Sequence, residues 1–284
     1  MFLSRLFSTV VLLVIFFAVF FIKGPIGLTI FIIAGIFITL VCIREFSSIL
    51  KKFKLGKING LSEFFGVVIF LSIIMSHLYN YKVKIELLIC VVIIILFWLM
   101  ILVSINNKEQ ILSVIGSLTI LLLLVVPLNF ITSIYVYGYG TTYLGVSLIL
   151  YLILVTKSGD IGAYAIGTLC SKRKGGNHKM VPSISPKKSW EGAIGGLIIS
   201  VIVSIILVQA LGFGYGLGAS IILGIVLFIG GFFGDLAESS LKRSAKIKDS
   251  GAIIPGIGGA LDLVDSLMIN APLFYFLIVT FKII

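Results

Sequence analysis

The chain has 284 residues, of which 60% are hydrophobic, and a formal net charge of +11 at pH 7. This composition excludes a water-soluble globular protein, and the apolar runs have the length of about 20 residues that a helix needs to cross a bilayer. The runs are continuous rather than alternating, which predicts helices and excludes a β-barrel. The basic residues lie between the runs without a nucleic-acid motif, so we expect membrane lipids or phosphate as their partners and no nucleic acid.

The hydropathy pattern predicts an all-α, polytopic integral membrane protein with nine transmembrane helices. The first run resembles a signal peptide, but Lys23-Gly24-Pro25 is a poor cleavage site, which favours a retained helix. The apolar segment Ile161–Cys170 is too short to cross and predicts a partial or re-entrant helix. The nine predicted spans are Leu6–Ile22, Ile26–Ile43, Phe64–Tyr79, Ile85–Ile105, Ile111–Phe130, Ile134–Val155, Ala193–Phe213, Ser220–Leu241 and Leu263–Phe281.

The distribution of basic residues predicts the orientation. With the N-terminus in the cytoplasm, cytoplasmic segments receive all of the basic residues except Lys23, Lys82, Lys84 and Lys282. The positive-inside rule therefore favours a multi-pass protein of the cell membrane with a cytoplasmic N-terminus and its polar segments on the cytoplasmic side.

The acidic residues divide the chain into two regions. Residues 1–150 contain Glu45, Glu63, Glu86 and Glu109, which are isolated in the sequence and predict solvated loop charges, and residues 151–284 contain the others. We therefore expect a lipid-facing scaffold in residues 1–150 and the catalytic region in residues 151–284.

Two groups of acids flank a polar segment near the C-terminus. Asp235, Glu238 and Lys242 are spaced three and four residues apart, which places them on one face of a helix. Asp262 and Asp265 are three apart on the next helix. Neighbouring carboxylates repel each other, and oxygen ligands suit Mg²⁺ together with substrate phosphate. The alternative is ion pairing with nearby bases, namely Lys242, Arg243, Lys246 and Lys248.

Three further features could contact a ligand. Gly256, Gly258 and Gly259 allow backbone N–H groups to approach an anion at a helix start, although such glycines also form tight turns. The basic loop 171–191 contains Lys172–Lys174, for which we favour anionic lipid, and Lys187-Lys188, for which we favour substrate. Asp160 is either a helix N-cap or a ligand contact.

Three segments resemble the phosphatidate cytidylyltransferases (CDP-diacylglycerol synthases). They are Gly159-Asp160-Ile161-Gly162-Ala163-Tyr164, then Ser185-Pro186-Lys187-Lys188-Ser189-Trp190-Glu191-Gly192, and the longer pattern Ser239-x-Leu241-Lys242-Arg243 to Lys248-Asp249-x-Gly251 to Pro255-Gly256-x-Gly258-Gly259-x-x-Asp262-x-x-Asp265.

The resemblance implies a Mg²⁺-dependent enzyme that converts CTP and phosphatidate to CDP-diacylglycerol and pyrophosphate. It also implies a homodimer and a second, monovalent cation beside Mg²⁺. It implies that Asp235 and Asp262 are metal ligands. The other catalytic residues it implies are Asp265, Lys242, Arg243, Lys248 and Asp249. The residues implied or proposed to bind substrate are Asp160, Ser185, Lys187, Lys188, Ser239, Gly258 and Gly259.

Two positions depart from the family pattern, which has His where this chain has Ile257 and Arg where it has Leu263. A role for His or Arg therefore cannot be transferred to these positions. The alternatives to phosphatidate cytidylyl transfer are cytidylyl transfer to another lipid phosphate, transport of an anionic metabolite, and an inactive membrane scaffold. The acids cluster near one end of the spans, and the chain has no evident internal repeat, which disfavours the transporter.

Overall fold

The computed structural model describes residues 10, 14, 18, 22, 24–55, 60–79, 85–104, 107–137, 144–172, 176–251 and 258–281. The regular elements of the described part are helices, apart from one short hairpin. Its elements in chain order are α1 (Gly24–Lys52), α2 (Leu61–Leu78), α3 (Ile85–Val103), α4 (Lys108–Ile120), a π-helical turn (Leu121–Val125), α5 (Val126–Tyr137), α6 (Leu144–Ser171), β1 (Lys179–Val181), β2 (Ser185–Ser189), α7 (Trp190–Ala210), α8 (Leu217–Ser244) and α9 (Leu261–Phe281).

Seven helices in the described residues are long and apolar enough to cross a membrane, with α4, the π-helical turn and α5 counted together as Lys108–Tyr137. The all-α, multi-pass architecture predicted from hydropathy is confirmed. The predicted first span, Leu6–Ile22, lies largely outside the described residues. The predicted span Ile85–Ile105 corresponds to α3, a helix of 19 residues.

Two predicted boundaries were wrong. The predicted span Ile134–Val155 falls partly on α5, which ends at Tyr137, and partly on α6, which begins at Leu144. The segment Ile161–Cys170 is not a separate partial helix but the C-terminal part of α6. The 28 residues of α6 extend about 42 Å at 1.5 Å per residue, which exceeds the hydrocarbon thickness of about 30 Å. A helix of this length can therefore carry charged residues beyond the apolar layer without a break.

The chain forms two compact units. The first contains Met1–Val136 and Ser244–Val264, and the second contains Tyr137–Arg243 and Asp265–Ile284. The first unit therefore includes a late segment of the chain, which returns to the N-terminal helices after α8. The predicted division of roles between residues 1–150 and 151–284 stays a prediction.

Aromatic side chains fill the core of the first unit, where α1 packs on α2 and α2 packs on α3. The rings of Phe31 and Tyr135 stack with centroids 3.9 Å apart, and Phe70 lies 6.3 Å from Phe31. All three are buried. Contacts of this kind join α1, α2 and α5 more specifically than apolar burial alone.

In the second unit, α6 and α7 approach closely through small residues. Gly192, Gly196, Ser200 and Ser204 recur every four residues on the buried face of α7. A Cβ atom at Gly196 would lie 2.6 Å from the backbone oxygen of Gly159 on α6. Small residues at such spacing allow membrane helices to pack backbone against backbone. The opposite face of α7 is exposed and apolar, as expected for contact with lipid, and consists of Ile194, Ile198, Ile202 and Ile206.

The loop before α7 contains an antiparallel hairpin that the sequence did not predict. Lys179 pairs with Ser189 and Val181 pairs with Ser185, with an irregularity between the two pairs. The α7 helix begins directly after β2, where the Ser189 hydroxyl accepts a hydrogen bond from the backbone N–H of Gly192. Ser189 is thus an N-cap residue that fixes the end of the hairpin.

Candidate active site

Three carboxylates converge in the second unit. Asp235 and Glu238 lie one turn apart on α8, and Asp265 lies in the first turns of α9. One oxygen atom from each lies within 4.8 Å of those of the other two. The close approach of the two helices requires Gly234, where a Cβ atom would lie 2.6 Å from the backbone oxygen of Asp265.

Lysine side chains surround this carboxylate cluster. Lys188 Nζ lies 2.9 Å from Asp235 Oδ2, and Lys242 Nζ lies 2.6 Å from Glu238 Oε2. Lys157 Nζ lies 3.5 Å from Asp265 Oδ1, and it also lies 3.6 Å from a fourth acid, Asp160. The group therefore contains four acids and three lysines, which leaves one excess negative charge if all are ionised.

The two central lysines are held by further contacts in the second unit. Lys157 donates a hydrogen bond to the Ser266 hydroxyl over 2.8 Å. Lys188 donates to the backbone oxygen of Phe232 over 3.2 Å, and its ammonium lies 4.1 Å from the centroid of the Phe232 ring. These contacts orient both ammonium groups toward the acids and keep them only partly exposed, at 34% for Lys157 and 16% for Lys188.

A buried amide connects the helices behind the cluster. The side-chain amide of Asn270 on α9 donates to the Thr156 hydroxyl on α6 over 2.8 Å and to the backbone oxygen of Leu227 on α8 over 2.7 Å. Asn270 and Thr156 are almost fully buried. The polar contact joins all three helices that carry the acids, because Asp160 lies on α6.

The donor set fits a hard divalent cation. Asp235, Glu238 and Asp265 offer carboxylate oxygens, the ligand type that Mg²⁺ and Ca²⁺ take in proteins. The alternative interpretation, ion pairing with bases, applies at least to Glu238, which is buried beside Lys242. Asp235 keeps 35% of its side chain exposed, so a solvated cation can reach it more readily than it can reach Glu238.

The remaining predicted residues of the second unit lie on the hairpin and on the last turns of α8. Ser239 donates from its hydroxyl to Asp235 Oδ1 over 3.3 Å. Arg243 is exposed, and its Nε donates to the backbone oxygen of Ile184 in the hairpin turn over 3.4 Å. Lys187 is exposed on β2, and Ser185 is half-buried. The structure therefore brings Asp160, Lys188, Asp235, Ser239, Lys242 and Asp265 into one group.

The other predicted residues belong to the first unit. Asp262 Oδ2 accepts hydrogen bonds from the backbone N–H groups of Gly259 over 2.9 Å and Ser250 over 3.3 Å. Gly258 has a φ of 129°, a conformation that only glycine adopts readily. Lys248 and Asp249 are exposed. Pro255, Gly256 and Ile257 lie outside the described residues, and Leu263 is half-buried.

Glu45 in the first unit is not a solvated loop charge, so that prediction was wrong. It lies inside α1, and only 4% of it is exposed. Its carboxylate accepts hydrogen bonds from the Ser250 hydroxyl and from the backbone N–H groups of Ala260 and Leu261. These two amides belong to the N-terminus of α9, where unpaired N–H groups and the helix dipole stabilise a negative charge.

Sequence reasoning placed Glu238 in the acidic group with Asp235, but it did not find the ion pairs of Lys157 or the buried contacts of Glu45. Lys157 precedes Asp160 by three residues, so its pairing with Asp160 could have been found from local pattern. Glu45 could not, because it lies 205 residues from Ser250 in the sequence.

Comparison with known proteins gives a consistent assignment. The chain matches the model of the cytidylyltransferase family over residues 3–281. It is 40% identical over 145 residues to a phosphatidate cytidylyltransferase of Staphylococcus haemolyticus (strain JCSC1435), an alignment that covers 51% of this chain and 54% of the relative.

Two further relatives show similar identity. A phosphatidate cytidylyltransferase of Bacillus subtilis (strain 168) is 38% identical over 144 residues, 51% of this chain and 50% of the relative. The uncharacterized protein YnbB of Escherichia coli (strain K12) is 41% identical over 134 residues, 47% of this chain and 43% of the relative. The chain thus spans about half the length of these curated relatives. Because the family model covers nearly the whole sequence, the chain belongs to the cytidylyltransferase family.

Proposed function

We propose that the protein is a phosphatidate cytidylyltransferase, which transfers the cytidylyl group of CTP to phosphatidate and forms CDP-diacylglycerol and pyrophosphate. The observation that carries the proposal is the cluster of Asp235, Glu238 and Asp265, whose oxygens lie within 4.8 Å of one another among lysines on membrane-spanning helices. Two of the relatives described above carry the name of this activity. A lipid substrate is consistent with acids and bases placed on helices that also contact lipid.

In this proposal, the basic side chains of the second unit bind phosphate groups. Lys187 and Arg243 are exposed and can reach a triphosphate from solvent. Lys188 and Lys242 are already oriented by their ion pairs with Asp235 and Glu238. Their ammonium groups can therefore bind phosphate oxygens in addition to these acids, or in place of them, at little conformational cost.

The reaction itself requires no covalent enzyme intermediate. An anionic oxygen of the phosphatidate phosphate attacks the α-phosphorus of CTP, a new P–O bond forms, and the bond between the α-phosphorus and the bridging oxygen breaks. Pyrophosphate leaves with the electron pair of that bond. Because the attacking phosphate is already an anion at neutral pH, the chain needs to orient and neutralise charge rather than supply a strong base.

Asp235, Glu238 and Asp265 would hold Mg²⁺ in the second unit. The family resemblance adds Asp262 as a ligand and a monovalent second cation, and both stay predictions. When bound, the divalent cation supplies positive charge that stabilises the triphosphate and the leaving pyrophosphate. The cytoplasmic position of the site, its place in the cell membrane and a homodimeric assembly are further parts of the proposal.

The experiment is a pyrophosphate-release assay on the purified full chain in detergent with labelled CTP, phosphatidate and Mg²⁺. We expect product only when both lipid and Mg²⁺ are present, and labelled CDP-diacylglycerol by chromatography. Replacement of phosphatidate by other lipid phosphates identifies the acceptor. Turnover with a different lipid phosphate but not with phosphatidate would contradict the proposed substrate, and no turnover with any lipid phosphate would contradict the proposed activity.

A further inference from the structure

A buried carboxylate on α1 contacts the segment that carries Asp262. Glu45 Oε2 lies 3.1 Å from the Ser250 hydroxyl and 2.9 Å from the backbone nitrogen of Leu261, and Glu45 Oε1 lies 3.1 Å from the backbone nitrogen of Ala260. Both carboxylate oxygens of Glu45 therefore accept hydrogen bonds. The donors lie in two segments, at Ser250 and at Ala260–Leu261.

The carboxylate of Asp262 also accepts hydrogen bonds from these two segments. Its Oδ2 accepts from the backbone N–H groups of Ser250 and Gly259, and Glu45 accepts from the groups adjacent to them. The two carboxylates thus accept from different donors of the same two segments, Ser250 and Gly259–Leu261. Movement of Glu45 would remove the contacts that hold Ser250 and the start of α9 in the arrangement that Asp262 requires.

Two glycines of the family signature are explained by Glu45. A Cβ atom at Gly251 would clash with Glu45 Oε1, and a Cβ atom at Gly259 would lie 2.5 Å from Glu45 Oε2 and would also clash with the Ser250 hydroxyl. These glycines leave space for the buried carboxylate. Within the described residues no basic side chain lies at ion-pair distance from Glu45, so a hydroxyl and helix N-terminal amides carry its stabilisation.

We infer that Glu45 is a positioning residue, which orders Ser250–Gly251 and Gly258–Leu261 and thereby fixes the carboxylate of Asp262. Its link to catalysis rests on the proposed function, in which Asp262 is a predicted metal ligand. Glu45 does not itself contact substrate in this inference. The carboxylate needs both oxygens, since each accepts from a different set of donors.

The test is hydrogen–deuterium exchange of the full chain in detergent, with Glu45→Gln compared to the wild type. The glutamine amide would face N–H donors with its own donor group, so we expect the amides of residues 259–261 to exchange at least about 10-fold faster, while α7 exchanges as before. The matched control is Glu63→Gln, because Glu63 lies in the same unit and its carboxylate pairs with the exposed Arg44 instead. Unchanged exchange at residues 259–261 in Glu45→Gln would overturn the inference.

A second readout separates positioning from general damage. In an active protein, Glu45→Gln should raise the Mg²⁺ concentration for half-maximal activity about 10-fold, whereas loss of folded protein would lower only the maximal rate. Faster exchange with an unchanged Mg²⁺ requirement would overturn the link to Asp262.

If Glu45→Gln does not fold, Ser250→Ala is the second variant, because it removes one donor alone. It should speed the exchange of the same amides by a smaller factor, and unchanged exchange there would overturn the inference. If the wild type shows no cytidylyl transfer, the proposed function fails and the exchange result still decides the role of Glu45.

Discussion

At Asp235, a lysine and a hydroxyl contact different oxygens of one partly exposed carboxylate. Lys188 Nζ lies 2.9 Å from Oδ2, and Ser239 Oγ lies 3.3 Å from Oδ1. Removal of the negative charge would leave Lys188 without its acidic partner and would take one oxygen ligand from the cluster with Glu238 and Asp265. Asp235 is therefore the residue whose charge the proposed chemistry needs most directly.

We predict that Asp235→Asn lowers kcat/KM by about 100-fold or more, which corresponds to about 2.7 kcal/mol of lost transition-state stabilisation. The pyrophosphate-release assay measures this loss. Glu109→Gln is the control, because Glu109 is exposed at the start of α4 and should leave kcat/KM within about 2-fold. Full activity of Asp235→Asn would contradict the assignment of Asp235 as a metal ligand.

Lys157 is a second residue whose removal has a defined consequence. Lys157 forms ion pairs with both Asp160 and Asp265, so Lys157→Met leaves two partly buried acids without their shared base. Because Lys157 is 34% exposed, we expect a loss of about 1–2 kcal/mol rather than the 3–5 kcal/mol of a fully buried pair. Thermal unfolding in detergent should show a lower Tm, whereas Lys187→Met, an exposed site, should not change it. Equal Tm values for the two variants would argue against the ion-pair geometry.

At the level of helices, the packing of α6 on α7 determines where Asp160 and the hairpin lie. The two helices meet at glycines, and the space between their backbones there is too small for a side chain. A Cβ atom at Gly196 would lie 2.6 Å from the backbone oxygen of Gly159 and 2.9 Å from the Cβ of Ala163. Overpacking at such a contact forces backbone movement.

We predict that Gly196→Ala destabilises the protein by about 1–3 kcal/mol and lowers its Tm in detergent. The matched control is Gly218→Ala on α8, where a Cβ atom would have no neighbour within 4 Å. There the substitution should be neutral or stabilise by up to about 1 kcal/mol, because alanine favours helix over glycine. If both variants melt like the wild type, the close approach of α6 and α7 is wrong.

At the scale of the whole molecule, the seven membrane-spanning helices of the described part establish a multi-pass protein, and the distribution of basic residues predicts its orientation. The loop with the hairpin carries several of these bases, among them the exposed Lys187 and the half-buried Lys188. The predicted orientation places this loop in the cytoplasm, where the CTP of the proposed reaction is available.

The orientation predicts that Lys187→Cys, in a background without Cys42, Cys90 and Cys170, reacts with an impermeant maleimide only from the cytoplasmic side. Inside-out vesicles should label, and intact spheroplasts should not. A cysteine at the exposed Lys248 should behave in the same way, since both segments are predicted to be cytoplasmic. Labelling of Lys187→Cys in intact spheroplasts would contradict the predicted topology and with it the access of CTP.

The sequence alone determined that the chain is a helical membrane protein, and its spacing placed Asp235, Glu238 and Lys242 on one helix face. Both follow from local properties, the hydropathy of about 20 consecutive residues and the period of the α-helix. The three signature segments also indicated the family. Local pattern failed where apolar length was ambiguous, as at Ile161–Cys170, which extends α6 because glycines on α6 and α7 pack the two helices together.

Only the tertiary structure decided which charges face one another. Lys188 meets Asp235, Lys157 lies between Asp160 and Asp265, and Glu45 accepts from donors more than 200 residues away. Hydrogen bonds and ion pairs act over about 3 Å in space, whatever the separation along the chain. A single sequence states which residues can donate or accept, and the packing of the helices selects the partner.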